Sequence, residues 1–132
     1  SELEKDPGNY TKWVAYGQLL ESVNTDKSIE VYKKAITLDS TKSIAPFNLG
    51  AIYYNQAAGY FKIQNSEFDD PIKSEEAYQN GLDQLKLALP YLELAWRHNK
   101  TDKTAVSTIM QIAINLNLTK KYNFYKEIMD KL

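Results

Sequence analysis

The chain has 132 residues, 43% of them apolar, which lets one domain of this size bury roughly two-thirds of its unfolded surface. Lys and Arg (16) against Asp and Glu (17) give a net charge of -1, so no overall positive field favours nucleic acid or an anionic bilayer. The absence of Cys excludes disulfides, thiolate metal ligands and Cys nucleophiles, and no apolar run approaches the ~18 to 20 residues that span a membrane.

The opening residues, Ser1-Glu2-Leu3-Glu4-Lys5-Asp6-Pro7, carry neither the basic nor the apolar region of a signal peptide and lack an initiator Met, so the expectation is a C-terminal fragment of a longer chain. Trp13, Tyr16, Gly17 and Leu20 then recur at helical spacing and predict a helix near 10–22. Ile29, Tyr32, Ala35 and Ile36 predict a second near 27–38. Capping and turn residues break the pattern at Asn24 to Asp26, Asp39 to Thr41, Asn65 to Pro71, Asn99 to Asp102 and Asn117 to Thr119. The remaining helices fall near 42–63, 72–98, 102–116 and 119–131. Asp70-Pro71 reads as an N-cap followed by Pro at the first helical position. Pro90 cannot donate to the carbonyl of Lys86, so the fourth helix is expected to kink or break there. No segment alternates like a strand, and the fold class is all-α.

Two stretches repeat. Trp13-x2-Tyr16-Gly17-x2-Leu20 is followed by Ser28-x3-Tyr32-x2-Ala35 and Leu38-Asp39-Ser40. Pro46-x2-Leu49-Gly50-x2-Tyr53 is followed, much later, by Ala88-x3-Leu92-x2-Ala95. Gly17 and Gly50 stand 33 positions apart, whereas Ala35 and Ala95 stand 60 apart. This resembles the tetratricopeptide repeat family, whose ~34-residue unit reads W-x2-L-G-x2-Y, then A-x3-F, then a closing Pro. Leu3, Asp6 and Pro7 resemble the close of a preceding unit, and Trp13 follows Pro7 in the right phase. The likeness is strongest from Asp6 to Tyr54. Val106-x2-Ile109-Met110-x2-Ala113 is a degenerate third unit with Met where Gly would stand.

The resemblance implies a right-handed superhelical stack of about three antiparallel helix pairs in one domain. It places the end of an upstream repeat at 1–9, a first repeat at 10–41, a second at 42–101 and a terminal one at 102–132. An insertion at about 55–80 lengthens the middle pair. By the family pattern the first helices line a concave groove that binds a peptide or helix of a partner protein. That names Val14, Gln18 and Glu21, then Phe47, Asn48, Ala51, Tyr54 and Asn55, then Ser107, Gln111 and Ile114. Asn48 matches one residue of the clamp with which some members hold a C-terminal carboxylate, but the basic clamp residues are absent, so Phe47 and Tyr54 suit an apolar or amphipathic helix better. Tyr60, Phe61, Ile63, Phe68, Ile72 and Tyr78 give the insertion more apolar surface than a solvent loop bears, and the expectation is that it caps the stack or mediates homo-oligomerisation. A structural or self-association module of an envelope protein is the alternative reading. A helical enzyme or small-ligand domain has less behind it.

Residue types for chemistry are sparse. His98 is the only His, so no His-pair chemistry or zinc cluster is expected, and its place near a helix end suits the C-terminal dipole. Glu67, Asp69, Asp70, Glu75 and Glu76 lack the alternate-oxygen loop with a central Gly that calcium uses. The five Gly residues are scattered rather than gathered in a phosphate loop. The expectation is no catalytic residue, no metal and no cofactor.

Overall fold

The computed structural model describes residues 5–132, which form six α-helices with no strand among them. In chain order these are α1 (Tyr10–Leu20), α2 (Thr25–Leu38), α3 (Ile44–Ser66), α4 (Pro71–His98), α5 (Lys103–Asn115) and α6 (Thr119–Lys131). Leu3 of the lead-in motif lies outside the described residues.

Local chemistry sets most boundaries. Asn9, Asn24, Asp70 and Asp102 each accept from the backbone N–H three residues on, so four helices begin at a side-chain N-cap. Between α5 and α6, Asn117 adopts φ 58, while Leu118 N–H donates to Ala113 O and Asn117 N–H to Ile114 O. That is a left-handed cap with both bonds of the Schellman motif, filled by Asn where Gly is commonest. Two helices start without a side-chain N-cap: α6, preceded by Leu118, and α3, the first helix of the middle pair. Ser43 makes no capping bond, and the Ala45 N–H donates instead to the Tyr10 hydroxyl at 3.0 Å. A residue at the start of α1 thus caps α3, and holds the two helices level at that end.

The helices pack as three antiparallel pairs, α1 with α2, α3 with α4 and α5 with α6, and the main backbone contacts run between consecutive helices. One core threads all six, from Val14 through Tyr32, Leu49, Leu85, Leu92 and Ile109 to Tyr125. Two glycines allow close approach. A Cβ on Gly17 would lie 2.6 Å from the Tyr32 ring, and one on Gly50 would lie 2.6 Å from Leu92. These are equivalent contacts in the first two pairs, each joining the small residue of a first helix to the large residue of its partner. The separation of Met110 and Tyr125 matches that of Gly17 and Tyr32. Tyr125 is the one buried residue among those of α6, which explains how the degenerate pair still anchors.

α4 runs unbroken through Pro90. Pro90 and Lys86 are both exposed, so the carbonyl that loses its partner lies on the solvent side and water can satisfy it. The alternative of two shorter helices does not occur.

The middle pair is far longer than its neighbours: 23 residues in α3 and 28 in α4, against 11, 14, 13 and 13 in the others. At a rise of ~1.5 Å per residue, α3 is about 35 Å long and α1 about 16 Å. Since α1 and α3 start level, the excess emerges at one end as a two-helix prong. Phe61 clamps it. Its ring sits where a Cβ on Gly81 would come, at 2.4 Å, and lies 6.2 Å from the Tyr78 ring. Ser74 also donates its hydroxyl across to Gln64 O. The apolar residues expected to need a partner in the insertion therefore divide. Phe61 and Tyr78 pack within the prong, while Ile63, Phe68 and Ile72 stay exposed.

Candidate functional site

The positions named from the sequence collect around α3, but not all of them. Glu21, Asn48, Ala51 and Asn55 line one hollow with Thr25, Ile52 and Gln56, of about 400 Å³. It forms because α1 ends at Leu20, so the α1–α2 turn faces the middle of α3 rather than its end. A second hollow of about 500 Å³ continues it, sharing Gln56 and adding Asp26, Gly59, Tyr60 and Ile63 along the flank of the prong. On the opposite side of α3, Tyr54 and Gln111 line a smaller cleft of about 170 Å³ with Ala57, Ala58, Phe61, Leu85 and Asn115.

Five of the named positions behave differently. Val14 is buried in the core at 6% exposure, and it presents no surface to a partner. Phe47 is only partly buried, but packs against the core, as does Tyr54. Gln18 is exposed and lines none of these hollows. Ser107 is exposed and spends its hydroxyl on Thr104 O, whereas Ile114 projects with 51% of its surface exposed.

The floor of the first hollow is held by a fixed relay. The buried Tyr32 hydroxyl donates to Glu21 Oε1 at 2.6 Å, and Asn48 Nδ2 approaches the same hydroxyl at 3.4 Å. Burial, with the Glu21 carboxylate beside it, pushes the Tyr32 phenol well above the ordinary tyrosine range. Glu21 and Asn48 are thus set in place by a core side chain rather than left to their own rotamers. The lining includes the carboxylates of Glu21 and Asp26 and the amides of Asn48, Asn55 and Gln56, with no Lys or Arg among it.

Reading the sequence alone missed Thr25, Ile52, Gln56, Asp26, Gly59, Tyr60 and Ile63. The α3 members could have been found by continuing the stripe from Asn48 and Ala51 at helical spacing past Asn55. Thr25 and Asp26 depend on where the α1–α2 turn sits against α3, which no local pattern encodes.

His98 is exposed in the last turn of α4, and among the described residues no three His, Cys, Asp or Glu stand where they could share a metal. No described helix is long and apolar enough to cross a membrane.

Fold and site together define an all-α stack of helix pairs with hollows on both flanks of its central first helix. No protein-family model matches the chain, and no curated protein matches it. Among solved structures it is similar to YrrB, described as a TPR protein with an unusual peptide-binding site. The two are 22% identical with a TM-score of 0.40, over 98% of this chain and 72% of that one.

Proposed function

We propose that the chain is a non-catalytic tetratricopeptide-like interaction module that binds a peptide or helix of a partner protein along α3. The contact is made chiefly through Glu21, Asn48, Ala51, Asn55 and Gln56, and on the other flank through Tyr54 and Gln111. One observation carries the reading: four positions named only by their place in a repeat line one hollow in the fold. Two of them, Glu21 and Asn48, are held by hydrogen bonds to a buried side chain. Such preorganisation reduces the ordering that binding would otherwise require.

The test replaces Ala51 with Arg, which fills the hollow from its floor without removing a core side chain. Substituting Phe47 or Tyr54 by Glu would be a poorer test, because both pack on the core and their loss would unfold the module. Affinity capture from native extract, with Ala51→Arg verified as helical by circular dichroism, should lose a partner that the unmodified chain retains. The same proteins captured by both forms would sink this reading.

A further inference from the structure

The prong ends in a feature that neither the core nor the hollows along α3 use. At its apex, Phe68 and Ile72 leave 82% and 74% of their surfaces in solvent. They are presented rigidly. Asp70 caps α4 by accepting from Lys73 N–H, Asp70 N–H closes the turn onto Glu67 O, and Phe61 locks the two helices together behind them. A shallow recess of about 570 Å³ opens beside Ile72, lined by Pro71, Glu75, Glu76, Gln79 and Asn80.

The charge around this apolar pair is one-sided. Glu67, Asp69, Asp70, Glu75 and Glu76 stand in this stretch of the prong against Lys62 and Lys73, an excess of three acids. Among the described residues, the ion pairs engage Asp6, Glu30, Asp83, Glu93 and Asp130, and none of these five carboxylates. The fold therefore concentrates like charge at its outermost point without neutralising it, and sets two bare apolar side chains in the middle.

We propose that the apex of the prong docks an amphipathic helix of a partner protein whose apolar stripe is flanked by Lys and Arg. Phe68 and Ile72 anchor that stripe, and the carboxylates steer and orient it. The same collar repels an anionic bilayer, and it repels the apex of a second copy. The site stands apart from the hollow at Glu21 and Asn48, so it does not rest on the reading given for that hollow.

The probe is a synthetic helical peptide of about 14 residues, leucine on one face and lysine on the other, against the same peptide with glutamate for lysine. Binding to the full 132-residue chain is followed by fluorescence anisotropy at low and raised salt. The lysine peptide should bind, more weakly as salt rises, and the glutamate peptide should not. Two independent variants, Phe68→Ser with Ile72→Ser, and Glu67→Gln with Asp69→Asn, Glu75→Gln and Glu76→Gln, should each weaken binding about tenfold with helicity unchanged. Asp70 is kept because it caps α4. Glu30→Gln with Glu127→Gln, exposed acids on α2 and α6 that line none of the hollows, should leave binding intact. Any one of four results overturns the proposal: unchanged affinity in the apex variants, an equal loss with the acids on α2 and α6, equal capture of the glutamate peptide, or no binding of either peptide. So does Phe68-dependent attachment to phosphatidylcholine vesicles, or Phe68-dependent dimerisation of the chain, in place of peptide binding.

Discussion

The contact of Gly17 with Tyr32 is tight enough to decide the sign of a substitution. Replacing glycine by alanine inside a helix ordinarily stabilises by ~1 kcal/mol, through propensity. At Gly17 the new methyl would fall 2.6 Å from a ring with no exposed surface and a hydroxyl tied to Glu21, so the ring cannot yield. Overpacking of this kind costs about 1 to 3 kcal/mol and outweighs the propensity gain. Gly17→Ala should therefore lower the urea midpoint, while Gly59→Ala, where nothing lies within 4 Å, should raise it. Two shifts of the same sign would show that the helix spacing is looser than the structure describes. Gly17 and Gly59 are indistinguishable in a propensity table; only the repeat pattern singled out the first.

At the scale of the helix, the periodicity of apolar residues was enough to place all six, because each has one side facing a continuous core. The largest displacement of an end is at α3, expected to stop at 63 and continuing to Ser66. Asn65 and Ser66 read as turn residues, but Ser66 returns its hydroxyl to Ile63 O and closes the last turn instead. The site was legible only in part. Glu21, Asn48, Ala51 and Asn55 follow from position in a repeat, whereas the burial of Val14 and the flank from Gly59 to Ile63 follow from how α1, α2 and α3 meet in space. Pro90 is the other place where local and global preference conflict. A proline inside a helix costs about 3 kcal/mol through the lost bond and the ring clash, and here it is exposed on an otherwise continuous helix. Pro90→Ala should therefore stabilise, by roughly 1 to 3 kcal/mol in urea unfolding, since the substitution restores the bond to Lys86. A loss of stability would mean instead that the packing of Leu89 and Leu92 depends on a bend at that point.

Across the whole molecule, three tyrosine hydroxyls tie helices together, two of them, Tyr10 and Tyr125, between helices that share few backbone contacts. Tyr10 accepts from α3, Tyr32 donates to Glu21 at the end of α1, and Tyr125 donates from α6 to Glu93 on α4 at 2.7 Å. Burial raises the pKa of all three, and the carboxylates beside Tyr32 and Tyr125 raise it further. An unfolded phenol loses its proton around pH 10, whereas the folded ones hold theirs to higher pH. Stability from these groups is therefore complete below about pH 10 and declines as pH rises toward the folded values. Urea midpoints measured upward from pH 8 should stay level and then fall above about pH 10, and the fall should be shallower in Tyr32→Phe and Tyr125→Phe. An identical decline in those variants would assign the alkaline loss to other groups.

The bond from Ala45 to Tyr10 has one more effect, on what the chain can tolerate over generations. Because it makes α1 and α3 start flush, every residue added to the middle pair appears at the far end, beyond all its neighbours. Lengthening both arms together by whole turns would move the apex outward by ~5.4 Å a step while leaving the existing interfaces between pairs unaltered. Reach is in that sense an adjustable dimension of this architecture, varied by insertion and deletion alone, whereas the three-pair body beneath it is bound by its packing.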